Sequence, residues 1–221
     1  MPIRLALLSD VHGNLPALEA VLDDIRAQGA DACVVLGDVA VMGPFPEECV
    51  ARVQDLGAPV VRGNTDEDLA AAPPAERADQ ARHWHRRALL WGRDRLTPVA
   101  VDWLRQLPVA REIEFGGLAL RIFHATPGST RPRIPPDAAD DDLLHQCFAG
   151  SEARLAAYGH IHVPYVRTAK GRRIVNPGPV SLSRAGDARA SYCVVDIDGN
   201  SLSVTLRAVP FDSRRLLQAA R

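Results

Sequence analysis

The sequence predicts a mixed α/β fold in one large domain, and three observations support this class. The first half alternates short apolar runs with segments of helical spacing, an order that is typical of parallel strands joined by crossover helices. The second half is dominated by runs of alternating polarity around glycine-containing turns, which is typical of hairpins. The length of 221 residues suits one domain with a well-buried core.

Three strands and two helices are expected in the first half. Residues 3–8, "DACVVLGD" and "APVVRGN" are apolar runs of strand length. The segments "LPALEAVLDDIRAQG" and "PEECVARVQDLG" lie between them, and each ends at a glycine, a common helix stop. In the first of these helices the apolar residues recur at helical spacing: Leu15, Leu18, Val21, Leu22 and Ile25.

Residues 76–107 are predicted to be a helical insertion within the single domain, 1–221. In "ERADQARHWHRRALLWGRDRL" one helical stripe carries Ala81, Trp84, Ala88 and Trp91. We expect the tryptophans of this stripe to pack inward. Thr97 is then a suitable N-cap for a shorter helix, with Pro98 at its first position.

The second half is predicted to be largely antiparallel. Three period-two segments turn at Gly116-Gly117, Lys170-Gly171 and Asp198-Gly199, which are hairpin signals. A helix is expected near residues 138–149. The Pro- and Asp-rich stretch at 129–142 is predicted to be a surface loop.

Composition and charge exclude several classes of protein. A net charge of -1, without an aromatic and basic stripe, argues against strong nucleic-acid binding. No apolar run approaches the length of a membrane span, and the N-terminal run is too short for a signal peptide. The four cysteines form no C-x-x-C pair, which argues against a zinc ribbon. We therefore expect a cytoplasmic protein, and the sequence leaves a homo-oligomer open.

Polar residues collect where the predicted strands end. The segments are "SDVHGN" at 9–14, "GD" at 37–38, "GNTD" at 63–66, His124, and "GHIH" at 159–162. In open α/β sheets the carboxyl ends of the strands form the ligand crevice, so these side chains are expected to meet. The set includes four of the seven histidines of the chain.

Each of these segments alone has a purely structural explanation. An Asp after a strand is usually a turn residue or a helix N-cap, and a lone His124 is more often a hydrogen-bonded histidine than a ligand. His160 and His162 alone would be neighbours on one face of a strand end. Their joint occurrence favours a site. Carboxylate, amide and imidazole donors together suit Mn, Fe or Zn, and two such ions make a phosphoryl-transfer site.

The ordered motifs resemble those of the calcineurin-like metallophosphoesterase superfamily, and the compact bacterial and archaeal phosphodiesterase-like branch in particular. The motifs are "SDVHGN", "LGDVAVMG", "RGNTDE", "FHATPG", "YGHIHVP" and "NPGPVS", and they extend over almost the whole chain. The resemblance implies a four-layer αββα sandwich, with two mixed β-sheets face to face and helices outside. It also implies a hydrolase that acts on phosphodiesters or activated phosphomonoesters.

The resemblance further implies two divalent ions, expected to be Mn²⁺, with Fe, Zn, Ni or Mg as alternatives. One ion would be held by Asp10, His12, Asp38 and His162, and the other by Asp38, Asn64, His124 and His160. A hydroxide that bridges the ions would attack the phosphorus of a small phosphate-ester substrate. The residues expected at the reacting centre are Asp38, Asn64, Thr65 and Asp66.

The departure from the family pattern is Thr65. Many family members have a histidine there, which is thought to protonate the leaving group, and threonine cannot be a general acid near neutral pH. We therefore expect activated esters to be the better substrates. Asp66 is expected either to orient a ligand or to cap the helix "DEDLA", and both interpretations stay open.

Four residues are predicted to contact the substrate: Asn14, His83, His85 and Arg131. For His83 and His85 a solvated helix face is the favoured alternative. Two other functions compete with the phosphoesterase. One is a protein-binding scaffold with weak catalysis, which the complete set of ligand residues disfavours. The other is a hydrolase of small oligonucleotides or dinucleotides.

Overall fold

The computed structural model describes residues 3–73, 77–181, 189–199 and 201–219, and within them it contains two mixed β-sheets and seven α-helices. In chain order the elements are β1 (Ile3–Leu8), α1 (Leu15–Ala27), β2 (Ala32–Val35), α2 (Pro46–Asp55), α3 (Asn64–Ala71), α4 (Trp84–Arg93), α5 (Pro98–Gln106), β3 (Ala110–Phe115), β4 (Leu118–Phe123), α6 (Asp140–Phe148), β5 (Leu155–Ala157), β6 (Tyr165–Ala169), β7 (Arg172–Asn176), β8 (Arg189–Asp198), β9 (Ser201–Pro210) and α7 (Ser213–Ala219). A 3₁₀ turn at Ala78–Gln80 precedes α4. No helix in these ranges is long and apolar enough to cross a membrane.

The two sheets have four and five strands. The first has the order β2-β1-β8-β9, with β1 parallel to β2 and antiparallel to β8. The second has the order β3-β4-β5-β7-β6, in which β5 is parallel to both of its neighbours. The loops that follow β1 and β5 are in contact, because the His160 N–H donates to the Asp10 carboxylate at 3.1 Å.

Three separate hydrophobic clusters show how the layers stack. Alternate residues of β1 point to opposite faces of the first sheet: Ala6 and Leu8 pack against the helices, whereas Leu5 and Leu7 pack against the second sheet. Residues of β4, β5 and β7 complete the cluster between the sheets. A third cluster joins the outer face of the second sheet to α6. The order is helix, sheet, sheet, helix, as the resemblance implied.

The third predicted strand, "APVVRGN", is not a strand. Its only sheet contact within the described ranges is a single parallel bridge between Val35 and Val60, and helix α3 begins at Asn64. Asp66 accepts the Gly63 N–H at 3.0 Å, so the polar residues that follow the valines start a helix. This position brings Asn64 to the first turn of α3.

The long helix predicted within residues 76–107 is also wrong in its details. Helix α4 begins only at Trp84, and its buried residues are Leu89, Leu90 and Gly92. Trp84 is 74% exposed and Trp91 is half-buried, so the tryptophans do not pack into the core. The predicted start, Glu76, lies outside the described residues. Thr97 does cap α5, because its hydroxyl accepts the Ala100 N–H at 3.2 Å.

The second half is less antiparallel than predicted. The three hairpins are present as β3–β4, β6–β7 and β8–β9, and the predicted helix near 138–149 is α6. However, β5 lies in parallel register between β4 and β7. With only three residues, β5 has no clear period, and its pairing depends on distant parts of the chain.

Candidate metal centre

Backbone in the left-handed region marks the loops that follow the strands. Seven residues other than glycine have positive φ within the described ranges, and five of them are predicted ligands: Asp10, His12, Asp38, His160 and His162. Such backbone is costly for side chains with a Cβ, and it is concentrated at functional sites. The loops therefore hold these side chains in orientations that ordinary turns do not favour.

The first donor group consists of Asp10, His12 and His162. One ligand atom from each lies within 4.8 Å of the others. His162 Nε2 is 3.2 Å from Asp10 Oδ1 and 3.2 Å from His12 Nε2. Asp10 and His12 are buried, so the group lies at the bottom of the crevice.

The second donor group consists of Asp10, Asp38 and His124, again within 4.8 Å, so Asp10 belongs to both groups. Asp38 Oδ2 lies 3.5 Å from His124 Nε2 and 3.7 Å from His12 Nε2, which places this carboxylate between the groups. Asn64 Oδ1 is 3.1 Å from His124 Nε2. The side chains of four strand ends thus converge at one place.

Hydrogen bonds to backbone carbonyls orient the imidazoles of His12 and His124. His12 Nδ1 lies 3.0 Å from Val41 O, and His124 Nδ1 lies 2.7 Å from Leu36 O. A carbonyl accepts only an N–H, so each Nδ1 carries a proton, and Nε2 is the nitrogen that faces the carboxylates of the cluster. This arrangement is the usual support of a metal-binding histidine.

His160 has the opposite tautomer. Its Nε2 lies 3.0 Å from Arg131 O, which leaves Nδ1 as the nitrogen with a lone pair. Its ring centroid is 5.1 Å from that of His124, and its backbone N–H donates to Asp10 Oδ2 at 3.1 Å. His160 and His162 do not lie on a strand, because β5 ends at Ala157 and both have positive φ.

Two glycines allow the loops to approach each other. A Cβ on Gly63 would lie 2.0 Å from Asp38 Oδ1, and one on Gly159 would lie 1.9 Å from Ser9 Oγ and 2.7 Å from Asp10 Oδ2. Gly63 has a φ of -88°, so it is needed for the close approach and not for a left-handed turn. Any side chain at these positions would displace a carboxylate of the cluster.

Asp66 makes hydrogen bonds both to the start of α3 and to the loop that carries Asp38. Its carboxylate accepts N–H groups from Asp38 at 2.8 Å, Val39 at 2.9 Å and Gly63 at 3.0 Å. It therefore caps α3 and holds the Asp38 loop at the same time. Burial and the nearby Asp38 charge raise the pKa of Asp66 to about 6, against the effect of these donors.

Thr65 contacts the site through its backbone. Its N–H donates to Asp38 Oδ1 at 2.9 Å, which orients that carboxylate. Its side chain is 3% exposed, and Oγ1 is buried without a hydrogen-bond partner among the described residues. The hydroxyl lies at the position where many family members carry a histidine.

Opposite charges dominate the electrostatics of the cluster. Burial would raise the pKa of Asp38, but the His124 and His12 imidazoles outweigh it and hold the pKa well below its usual range. Burial would lower the pKa of His124, but the Asp38 carboxylate raises it to about 10. Burial lowers the pKa of His12 and of His160. The carboxylates are therefore ionised and ready to bind a cation.

The donor set fits a divalent metal ion. Two buried, ionised carboxylates lie beside two buried histidines, His12 and His124, and a buried charge requires a partner. His160, His162 and Asn64 are partly exposed beside them. His12 Nε2 and His162 Nε2 are 3.2 Å apart, and His162 Nε2 also lies 3.2 Å from Asp10 Oδ1, so two imidazoles and a carboxylate face one point. Mixed oxygen and imidazole donors suit Mn, Fe or Zn.

The residues predicted to contact substrate are placed less centrally. Asn14 is buried, where its Oδ1 caps α1 through Ala17 and its Nδ2 donates to Ser181 Oγ at 3.2 Å. Arg131 pairs with Asp68 at 2.5 Å, although its carbonyl supports His160. The substrate contacts of Asn14 and Arg131 remain predictions.

His83 and His85 are exposed at the start of α4. His83 is the N-cap residue of this helix, and the His85 ring packs edge-on against Trp84 at 5.7 Å. Within the described residues neither side chain is hydrogen-bonded to the donor groups, so the substrate contacts of His83 and His85 remain predictions.

The segment after β7 holds the loops of the site together, a role that was not predicted from the sequence. Asn176 Nδ2 donates to Gly159 O at 2.6 Å, and its Oδ1 accepts the Gly178 N–H at 3.0 Å. The N–H groups of Val180 and Ser181 donate to Ser9 O and Asp10 O. The segment joins the loops of the two sheets, and its Asn-Pro-Gly sequence was the available signal.

Comparison with known proteins agrees with this geometry. The model of the calcineurin-like phosphoesterase superfamily domain matches residues 3–200. Phosphodiesterase YfcE of Escherichia coli is 27% identical over 207 residues, which are 89% of each protein. The symmetrical bis(5'-nucleosyl)-tetraphosphatase of Paracidovorax citrulli is 32% identical over 169 residues, which are 72% of this chain and 57% of that protein.

A solved structure is similar over nearly the full length. The metallophosphoesterase from Sphaerobacter thermophilus superposes with a TM-score of 0.77 at 29% identity, and the alignment covers 99% of this chain and 93% of that one. The family match covers most of the chain and all of the strand-end motifs. The chain therefore belongs to the calcineurin-like phosphoesterase superfamily and is a metal-dependent hydrolase of phosphoester bonds.

Proposed function

We propose that this phosphoesterase uses two divalent metal ions, Mn²⁺ in the first place, to hydrolyse phosphodiesters or activated phosphomonoesters. The observation that carries the proposal is the pair of overlapping donor groups, one with Asp10, His12 and His162 and one with Asp10, Asp38 and His124. Asp38 contacts histidines of both groups, which supports it as a shared ligand. Asn64 and His160 complete the second set.

The side chains of the site would mainly position the metal ions and neutralise their charge. The carboxylates of Asp10 and Asp38 supply negative charge to the ions, and Asp66 and the Thr65 N–H hold Asp38 in place. When bound, the ions would lower the pKa of a water molecule and stabilise charge on the phosphoryl oxygens. The loops bring these groups together before substrate arrives, so little reorganisation would be needed.

Threonine at position 65 limits the leaving groups. Its hydroxyl cannot donate a proton as an acid near neutral pH, so no general acid is available from this position. Acidic phenols leave without a proton, so their esters should be hydrolysed faster than alkyl esters.

The proposed phosphoesterase is a single domain over residues 1–221, with residues 76–107 as a helical insertion.

Elemental analysis combined with an assay on bis-p-nitrophenyl phosphate tests this function. The purified protein should bind divalent metal, hydrolyse the ester in Mn²⁺, and lose activity in a chelator. Asp38→Asn should abolish the activity, whereas Asp142→Asn, on the exposed face of α6, should leave it unchanged. A protein that binds no metal and is inert with Mn²⁺ would support the scaffold function instead.

A dinucleotide hydrolase is the second candidate. It is favoured by the similarity to the symmetrical bis(5'-nucleosyl)-tetraphosphatase, over 72% of this chain. Substrates of that class are small phosphate esters, so they require the same donor groups and no basic surface for nucleic acid. Rates on dinucleoside polyphosphates, compared with rates on bis-p-nitrophenyl phosphate, distinguish the two candidates.

A further inference from the structure

A cavity of about 420 Å³ lies between the loop Met42–Pro44 and helix α4. Its volume is in the range of small-molecule sites. Three residues of α4 and its C-terminal extension line one side: Ala88, Trp91 and Arg95. Ala219 of α7 also lines the cavity. Neither the function proposed above nor the donor groups use this space.

The cavity explains the apolar stripe of α4. Trp84, Ala88, Trp91 and Arg95 recur at intervals of four, three and four residues, so they share one face of the helix. Ala88, Trp91 and Arg95 of this face line the cavity, while Leu89 and Leu90 on another face enter the core. Of the predicted stripe, Ala88 and Trp91 line the cavity, Trp84 is exposed, and Ala81 lies before the helix and packs in the core.

Residues at both ends of the loop Met42–Pro44, which forms the opposite wall, are hydrogen-bonded to the segment that carries His12. Val41 O accepts from His12 Nδ1 at 3.0 Å, and the Phe45 N–H donates to Gly13 O at 3.0 Å. A Cβ on Gly43 would lie 2.5 Å from the carbonyl oxygen of His12. The cavity wall and the segment that carries His12 are therefore in direct backbone contact.

The chemistry of the lining favours a flat, polarisable and anionic ligand. The Arg95 guanidinium stacks on the Trp91 ring, 3.5 Å from its centroid, and Met42 adds a thioether. Arg215 lies over the ring of Phe45, directly after the loop, at 5.1 Å. The described lining contains no carboxylate. Nucleobases stack on aromatic rings and on guanidinium planes, and the phosphate of a nucleotide is attracted by arginine.

We propose that this cavity binds the base of a nucleoside phosphoester whose phosphate lies at the Asp10–His12 cluster. The inference rests on the proposed phosphoesterase function and adds a substrate class to it. The nucleoside would extend from the donor groups over the Met42–Pro44 loop and place its base beside Trp91. Specificity would then come from the helical insertion, whereas the chemistry comes from the strand ends.

Two esters with the same leaving group test the cavity. They are the p-nitrophenyl ester of thymidine 5′-monophosphate and ethyl p-nitrophenyl phosphate, both with the Mn²⁺-loaded protein. The wild type should have a kcat/KM at least tenfold higher for the nucleoside ester. Ala88→Leu, which fills the cavity, should lower the rate on the nucleoside ester and bring the ratio close to one. Ala51→Leu, on the exposed face of α2, is the matched control and should keep the wild-type ratio.

Each outcome decides the proposal. A wild-type ratio near one, or an Ala88→Leu ratio equal to that of the wild type, would overturn it and leave the phosphoesterase function standing. If neither ester is hydrolysed, the proposed function fails, and calorimetric titration with thymidine 5′-monophosphate then tests the cavity alone. Binding at least tenfold weaker in Ala88→Leu supports the cavity, whereas equal binding or no binding by the wild type refutes it.

Discussion

At the scale of single residues, the site depends on backbone conformations that ordinary packing would avoid. Asp10, His12, Asp38, His160 and His162 all have φ between 48° and 66°. Each such residue costs on the order of 1 kcal/mol or more, so the surrounding structure must hold it. Buried hydrogen bonds from Asp66 and from the Asn176 segment provide this support.

Gly63 tests the close contact between loops. Gly63→Ala should weaken Mn²⁺ binding at least tenfold, because the added Cβ would lie 2.0 Å from Asp38 Oδ1 and would displace that carboxylate. Calorimetric titration with Mn²⁺ measures the effect. Gly92→Ala in α4 is the control, since its Cβ meets nothing within 4 Å. Wild-type affinity in Gly63→Ala would show that Asp38 is not a ligand or that the loop adapts.

Thr65 tests the missing general acid. Thr65→His should raise the rate on phosphodiesters with poor, alkoxide leaving groups, by about tenfold or more, because an imidazole can donate the proton. The rate on bis-p-nitrophenyl phosphate should change little. Steady-state rates at saturating Mn²⁺ measure both, with Thr65→Val as the control for the loss of the hydroxyl. An unchanged rate on the alkyl esters would contradict this account of position 65.

His124 connects metal binding to pH. The Asp38 carboxylate raises its pKa to about 10 in the metal-free protein, so His124 is protonated at neutral pH. A metal ion needs the neutral imidazole and must displace this proton. Affinity for Mn²⁺ should therefore rise by about tenfold per pH unit between pH 6.5 and 8.5. Calorimetry across this range measures it, and an affinity independent of pH would rule out His124 as a ligand.

At the scale of secondary-structure elements, a polar contact joins α1 to β8 and β9. Asp24 of α1 accepts from Tyr192 at 2.7 Å and from Arg207 at 2.7 and 3.1 Å. The Arg207 hydrogen bond, against a small opposing effect of burial, lowers the pKa of Asp24. The ionised carboxylate thus stabilises the fold at pH values above its unfolded pKa, and this contribution is lost as the pH falls through its lower folded pKa.

Asp24→Asn should destabilise the fold by about 1–2 kcal/mol at pH 7. The neutral amide oxygen is a weaker acceptor than the carboxylate for the hydrogen bonds from Tyr192 and Arg207. The difference from the wild type should shrink as the pH falls below about 4, where the wild-type carboxyl is protonated as well. Urea unfolding at both pH values measures it. Asp23→Asn, whose partner Arg26 is exposed, is the control and should change little. Equal stabilities of Asp24→Asn and wild type at pH 7 would contradict this role.

Element predictions succeeded where the pattern was local and failed where it was not. Helix α1 and the three hairpins have strong periods and glycine turns, so the sequence was sufficient for them. Helix α4 begins only at Trp84, and this tryptophan is exposed and does not enter the core, so the helical spacing of the sequence overstated both the length of the helix and its buried face. The run at 58–64 became a bridge followed by α3, since the capping bonds of Asp66 decide where the helix starts.

At the scale of the whole molecule, two sheets stack so that the ends of β1 and β5 meet. The sequence showed which residues follow the strands, but the order β2-β1-β8-β9 depends on a pairing between residues almost 200 positions apart. That long-range register has no local signal. The four layers and the ligand set were therefore implied by resemblance, whereas the carbonyl partners of His12 and His124 and the α4 cavity required the structure.

The central claim is that the meeting of the two sheets creates a centre for two ions. Equilibrium dialysis against Mn²⁺, with the bound metal counted by elemental analysis, tests it most directly. The account predicts two Mn²⁺ ions per chain in the wild type and one in Asn64→Ala, which removes a ligand of the second ion only. One ion or none in the wild type, or two in Asn64→Ala, would contradict it.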